Sequence, residues 1–193
     1  MVSEYFVINL NTAIEVFSLE RVKDILSTFS CDLNDDIESF LKERAIDFSN
    51  KGIARTHLVL REAGSEIEIL GYYTLTNKVL AIPNEGLSGT ERKRVERFGV
   101  LDINSNTYDI PMPLIAQLGK NYLNGLNNEL SGAELLFIAS DKVAAIQNDL
   151  GGRFVYLECD DAPKLIDFYT ANGFRCIENS KGDNDLVQMI MFQ

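Results

Sequence analysis

The stretch that most limits what this chain can fold into runs from Phe154 to Phe174. Phe154, Val155, Tyr156 and Leu157 are apolar on both alternating faces, the pattern of a strand buried on both sides. Directly after it, Asp161 can cap a helix, because its carboxylate can accept a bond from a free first-turn amide. Pro163 suits that first turn, where no amide donor is needed. Ala162, Leu165, Ile166 and Tyr169 follow at helical spacing and share one face. Gly173 stops the helix and Phe174 opens the next strand. The pattern predicts a short helix just past a central strand end, with Tyr169 on its inward face. A tyrosine so placed is either a core residue with its hydroxyl satisfied or a functional one.

The rest of the chain reads as alternating layers. Tyr5 to Leu10 has the pattern of a first strand. Ser18 can cap a helix reaching about Phe29, with Val22, Ile25, Leu26 and Phe29 on one face. A second helix starts near Asn34, carries Ile37, Phe40, Leu41, Ala45 and Phe48, and precedes Gly52. Thr56–Leu60 and Ile67–Leu75 read as strands joined at Glu62-Ala63-Gly64-Ser65 into a hairpin. Val79–Ile82 is a further short strand closed by Pro83. Ser88 and Glu91 form a capping-box pattern for a helix to Phe98. Leu101 to Thr107 is polar and turn-rich, a hairpin or a loop. Ile110–Lys120 is the next strand. Leu135, Ile138, Ala139, Val143 and Ile146 make the stripe of a helix that Gly151-Gly152 ends. Phe174–Glu178 and Leu186–Phe192 are strands about a turn at 181–184. With 193 residues, this order predicts one mixed α/β domain over residues 1–193.

Charge and cysteines narrow the classes. The net charge is −11, so binding to nucleic-acid phosphate requires a local basic patch. Arg92, Lys93, Arg94 and Arg97 offer one; the bland alternative is a solvated helix face balanced by Glu91 and Glu96. The acidity also weakly favours a cationic acceptor such as an amine. Cys31, Cys159 and Cys176 show no CxxC spacing and fit reduced thiols, with Cys159 and Cys176 either neighbours on adjacent strands or small buried residues. No apolar run approaches the roughly 18–20 residues that span a bilayer, and no basic region with a cleavage site opens the chain. A cytoplasmic protein that does not enter membranes is expected. No His, Cys and carboxylate cluster has metal-ligand spacing, and no nucleophile elbow or Walker loop occurs. His57, the single histidine, reads as structural.

Ala162, Phe168-Tyr169 and Gly173-Phe174 together resemble the C-terminal half of the GNAT acetyltransferase superfamily. Gly52-x-x-Arg55-Thr56 and Gly71-Tyr72-Tyr73-Thr74-Leu75, with Phe29, Ile37, Phe40-Leu41 and Ala45, look like its toxin branch, whose members acetylate the amino group of aminoacyl-tRNA. The resemblance implies an α/β (α+β) GNAT fold: a central mixed, mostly antiparallel sheet flanked by helices. It implies an N-acetyltransferase using acetyl-CoA by direct attack of an amine, with Tyr169 protonating the leaving thiolate. The acceptor is then a small molecule, a protein amino group or an aminoacyl-tRNA, and the basic helix a contact for tRNA or for the 3′-phosphate of coenzyme A.

The resemblance also places the cofactor. Leu118, Gly119 and Lys120 match the strand end whose backbone pairs with the pantetheine amides. Gly119 alternatively serves only a turn at the strand end. The family's phosphate-binding turn aligns Asn127, Ser131, Gly132 and Ala133 at the start of the next helix, where amides and the helix dipole hold a pyrophosphate. Here the sequence departs: Asn127 stands where Gln or Arg is usual and Leu130 where the first glycine is usual. Ser131 and Glu134 can instead form a capping box. That departure keeps a rival reading open, a GNAT-fold module that binds acyl-CoA or a partner without catalysis. For a general base, Glu158, Glu66 and Glu68 are candidates, and an already neutral amine or water can replace one. Many relatives dimerise, so a homodimer is open.

Overall fold

The computed structural model describes residues 4–85, 87–181 and 185–193, with the backbone alone for 178–181. Eight strands pair in the order β1-β2-β3-β5-β6-β8-β7, with β4 on β5. They are β1 (Phe6–Asn9), β2 (Arg55–Ala63), β3 (Glu66–Pro83), β4 (Val100–Asp102), β5 (Thr107–Lys120), β6 (Phe154–Cys159), β7 (Arg175–Lys181) and β8 (Val187–Phe192). β5 and β6 run parallel, at Leu114↔Tyr156 and Ile115↔Leu157. The β1/β2, β2/β3, β4/β5, β6/β8 and β7/β8 ladders are antiparallel. The sheet is thus mixed and mostly antiparallel, as expected. The chain forms two compact units, residues 1–76 with 116–139 and residues 77–115 with 140–193.

In the first unit, α1 (Leu10–Phe17) and α2 (Leu19–Ser27) follow β1. The strand expected through Leu10 stops at Asn9, whose side chain accepts from the Asn11 amide at 2.9 Å and starts a helix instead. Ser18 caps α2 as expected, accepting from Arg21 N at 3.4 Å. The second predicted helix is α3 (Asp35–Ser39), a π-helical turn (Phe40–Arg44) and α4 (Ala45–Lys51) in succession. Asn34 caps it through bonds from Asp36 and Ile37, and Gly52 ends it in the left-handed conformation. These helices bury Leu10, Val22, Phe29, Phe40 and Leu41 against Leu58, Leu60, Ile69 and Tyr72. Tyr72 is fully buried. It donates to the Ile37 carbonyl at 2.6 Å and meets Phe29 edge-on at 5.3 Å, so its hydroxyl is satisfied while its ring anchors the core.

Val79–Ile82 is not a separate strand. β3 runs unbroken over 18 residues. Polar Thr76 and Lys78, which interrupt the apolar pattern, have partners: Thr76 Oγ1 donates to Ile53 O at 2.7 Å, and Lys78 Nζ to Glu158 at 3.2 Å.

In the second unit, α5 (Gly89–Val95) carries the predicted capping box of Ser88 and Glu91. β4 and β5 form the hairpin at Leu101–Thr107. Leu80, Ile82, Val95, Tyr108, Ile110 and Met112 pack with Phe154, Tyr156 and Ile190. α7 (Pro163–Ala171) begins at Ala162, without a side-chain cap. Asp161 is therefore not the cap; Pro163 at the first helical position already needs no donor partner. Cys159 and Cys176 are not on adjacent strands: β8 lies between them, opposite Cys159 at Val187 and opposite Cys176 at Met189. All three cysteines are free. Gly182, Asp183 and Asn184 of the predicted β7–β8 turn lie outside the described residues.

Candidate active site

The first unit carries the residues matched to the cofactor. α6 (Gly132–Leu150) crosses from this unit into the other, and a short 3₁₀ segment (Leu123–Asn128) joins β5 to it. Gly119 is buried, and a Cβ there would collide with Ile37 and press on Tyr72 at 3.1 Å and Phe29 at 3.2 Å. Its missing side chain is thus explained by the apolar core. Leu118 beside it is half-buried. Lys120 and Asn127 are brought together: the ammonium donates to the Asn127 carbonyl at 2.9 Å and lies over the Tyr122 ring at 5.7 Å.

Ser131 and Glu134 do form a capping box. Glu134 N donates to Ser131 Oγ at 3.1 Å, and Ser131 N donates to Glu134 Oε2 at 3.1 Å. This box ends one turn further on in the ordinary helical bond from Leu135 N to Ser131 O. Gly132 and Ala133, the first two helical positions, offer amides that no intrahelical carbonyl can reach. Small residues leave those amides uncovered; the Glu134 carboxylate one residue on opposes any anion that would meet them.

Sequence reasoning missed the residue that holds this region. Asn121 is fully buried. Its Oδ1 accepts from Ser30 N and Leu123 N, both at 3.0 Å. Its Nδ2 donates to Ile69 O at 2.9 Å and Thr28 O at 3.2 Å. Its amide donates to Leu70 O at 2.8 Å, beside the irregularity where the β2/β3 register slips. One amide side chain therefore uses both ends fully. A polar residue just past a strand end was the visible signal. Arg61 adds a second tie, pairing Glu68 at 2.8 Å and Glu129 at 3.0 Å.

The second unit carries Tyr169 on α7, half-buried. Its ring meets Phe168 at 5.0 Å and Phe174 at 6.0 Å, both edge-on. Its carbonyl accepts from Asn172 N and Phe174 N, so the helix end fixes its backbone. Among the described residues, no group is hydrogen-bonded to its hydroxyl. Burial, and secondarily the Cys159 thiol, pushes that hydroxyl up to about 12. It stays protonated throughout the neutral range.

β6 carries a polar cluster in the same unit. The Tyr156 hydroxyl donates to Glu158 Oε1, as do Gln188 Nε2 at 3.3 Å and Lys78 Nζ at 3.2 Å. Gln188 Nε2 also lies 2.8 Å from the Tyr156 hydroxyl. A Glu in an otherwise apolar strand, two residues from a Tyr on the same face, was its signal. The other candidate bases are engaged by arginines: Glu66 with Arg21 at 2.5 Å, and Glu68 with Arg61. His57 is buried and stacked on Tyr73 at 4.8 Å. Among the described residues, no cluster suits a metal ion and no helix is long and apolar enough to cross a membrane. Arg92, Lys93, Arg94 and Arg97 are exposed. Arg94 stacks on Phe192 at 4.7 Å, and Arg92 donates to Asn84 O at 3.4 Å.

No family model matches the chain, and no curated protein matches it. Solved structures do. AtaT complexed with acetyl-methionyl-tRNAfMet aligns with a TM-score of 0.67 at 18% identity, covering 96% of this chain and 94% of that one. A tyrosine-to-phenylalanine mutant of KacT aligns at 0.65 and 17%, covering 96% and 94%. A tyrosine-to-phenylalanine mutant of the AtaT toxin, bound to the C-terminus of the antitoxin AtaR and acetyl-CoA, aligns at 0.62 and 18%, covering 97% and 92%. These likenesses show the fold: the chain has the GNAT fold that AtaT and KacT have.

Proposed function

We propose that this chain is an acetyl-CoA-dependent N-acetyltransferase whose acceptor is the amino group of an aminoacyl-tRNA. The observation that carries the reading is the Tyr169 hydroxyl: half-buried, held protonated and without a hydrogen-bond partner among the described residues, in a GNAT fold. Support for the acceptor comes from AtaT, solved with acetyl-methionyl-tRNAfMet, and from the exposed Arg92, Lys93, Arg94 and Arg97, which can meet RNA phosphates despite the net charge of −11. Two of the similar structures carry a tyrosine-to-phenylalanine change, which fits a chemistry that depends on one tyrosine hydroxyl. An antitoxin partner belongs to the same reading, since AtaT is solved with one.

The residues present fit acetyl-CoA at the start of α6. Gly132 and Ala133 lack bulky side chains, and their first-turn amides would donate to a pyrophosphate, against the opposing charge of Glu134. Asn127 and Ser131 border that turn. Backbone groups at the Leu118–Lys120 end of β5 would pair with the pantetheine arm as an added strand does. Bound acetyl-CoA supplies an activated acetyl thioester. Tyr169 gives its proton to the sulfur as the carbon–sulfur bond opens. Its apolar setting keeps water from competing for that proton, and its fixed backbone holds the hydroxyl in place.

The test has two arms. Thermal melting with acetyl-CoA, beside an adenine nucleotide without a thioester, reads binding; about 2.7 kcal/mol of stabilisation is expected at 100 times the dissociation constant. Transfer of labelled acetyl to aminoacyl-tRNA reads chemistry, and Tyr169→Phe is expected to lower it about 10²–10⁴-fold with the melting shift intact. Binding without transfer to any amine would leave a non-catalytic acyl-CoA module instead.

A further inference from the structure

We propose that Glu158 is the carboxylate that receives the acceptor amine, taking its ammonium on Oε2; the assignment rests on the transferase reading above. The argument starts from one-sidedness. A carboxylate offers about four lone-pair sites shared over two oxygens. At Glu158 the Tyr156 hydroxyl, Gln188 Nε2 and Lys78 Nζ all go to Oε1. Among the described residues no donor reaches Oε2. A carboxylate kept only as the counter-ion of Lys78 has no need of two further donors on the same oxygen.

The clamp is rigid. Tyr156 is fully buried and Gln188 is 5% exposed, so neither can swing away, and the ring of Tyr156 lies 5.8 Å from Lys78 Nζ. The Glu158 side chain keeps 13% of its surface open. It is therefore fixed through Oε1, while Oε2 keeps its lone pairs free of donors among the described residues. Such a group binds a compact cation with N–H donors, and a primary ammonium is the acceptor the proposed reaction supplies.

Its position relative to the acid fits. Successive side chains on a strand point to opposite faces. Tyr156 and Glu158 share one face of β6, as their bond requires. Cys159 turns to the other, and α7, which carries Tyr169, begins four residues on. The parallel ladder of β5 and β6 runs through Leu114↔Tyr156 and Ile115↔Leu157, and Glu158 is the next residue. Glu158 and Tyr169 thus belong to consecutive elements, the end of β6 and the helix that follows it.

The protons balance. The ammonium passes one proton to Glu158 Oε2 and becomes a neutral amine. Its nitrogen lone pair forms the bond to the acetyl carbon while the carbon–sulfur bond breaks, and the sulfur keeps that electron pair. Tyr169 protonates the sulfur. The new amide nitrogen sheds a second proton, which restores the Tyr169 hydroxyl through solvent, and Glu158 releases its own to water. The net change is one ammonium and one thioester to one amide, one thiol and one proton.

The experiment compares wild type with Glu158→Gln, which keeps shape and an oxygen for the three donors but removes the charge, and with Glu158→Asp, which keeps the charge and shortens the reach. On the free protein, the Gln188 side-chain amide resonances are followed while L-methionine amide hydrochloride is added. They are expected to move in wild type and to stay in place in Glu158→Gln. In turnover, both variants are expected to lose about 10²-fold or more in kcat/KM for the amine, with the acetyl-CoA melting shift unchanged. Wild-type turnover with Glu158→Gln within threefold of it, or resonances that do not respond in wild type, overturns the assignment alone. A wild type that binds no acetyl-CoA and acetylates nothing overturns the transferase reading and this assignment with it.

Discussion

A Cβ placed on Gly71 would stand 2.8 Å from the carbonyl oxygen of Gly119. Backbone therefore lies directly over Gly71, with Leu130 and Leu135 closing the same space at 3.3 Å. A carbonyl cannot step aside as a side chain can. Gly71→Ala is expected to destabilise by about 2–3 kcal/mol, read from urea midpoints. Gly119→Ala meets the Cγ2 methyl of Ile37, on a branched side chain with little χ1 freedom, with the buried Tyr72 and Phe29 rings close behind, so its cost should be of the same order. A Gly71→Ala cost far below that of Gly119→Ala would show that the backbone contact yields.

Asn121 holds two carbonyls and two amides with one buried side chain. Asn121→Ala leaves them unpaired, and a loss of about 3–5 kcal/mol is expected. Amide hydrogen exchange at Ser30 and Leu123 should quicken more than exchange in α6. Uniform quickening would mean the residue contributes to global stability without holding these two segments.

Glu134 occupies the first turn of α6 while capping it with Ser131. Glu134→Gln keeps the cap, since Gln serves at that position, and removes a negative charge beside Gly132 and Ala133. Acetyl-CoA affinity should rise about two- to five-fold at low salt, while Ser131→Ala costs about 1 kcal/mol of stability. Unchanged affinity in Glu134→Gln would move the pyrophosphate away from this turn.

Tyr169 ionises only near 12 in the folded chain, against an ordinary value of 10.0. A raised value in the folded state means its contribution is whole below about pH 10 and is lost as pH climbs toward 12. Wild type should lose stability relative to Tyr169→Phe between those limits, in urea midpoints taken at pH 9 and pH 11. A constant difference would place the hydroxyl in solvent.

Glu38 works in the opposite sense. Lys42 at 2.6 Å and then the Cys31 amide at 2.8 Å hold its carboxylate below the ordinary value of 4.5. Its contribution is present above that value and fades as pH falls through the lowered one. Glu38→Gln should cost about 1 kcal/mol at pH 7 and progressively less below pH 4. A cost that persists into acid would come from packing.

Much of this was legible because it is local. The caps at Ser18, Asn34, Ser88 and Ser131 each bond within three residues, so composition and spacing reveal them. Tyr169 came from helical spacing after an apolar strand. What stayed hidden depends on distant partners. Asn121 bonds Ser30 across 91 positions and Ile69 across 52. The Glu158 clamp draws Lys78 from 80 positions away and Gln188 from 30. The continuity of β3 was masked for the same reason: Thr76 and Lys78 look like a break until their partners are seen. Asn9 ending β1 was hidden differently, by apolar residues that suit either period.

β8 has a place in time as well as in space. Of the described strands it is made last, yet it lies between β6 and β7, pairing Phe154–Cys159 on one side and Arg175, Cys176 and Lys181 on the other. On a ribosome adding about 5–20 residues per second, β6 and β7 emerge first and wait without a shared partner. Until Val187–Phe192 arrives, β7 has no neighbour in the sheet and the edge of β6 beside Glu158 is open. Closing the second unit thus waits for the last of the described strands, and until then that apolar edge is exposed to chaperones or to other chains.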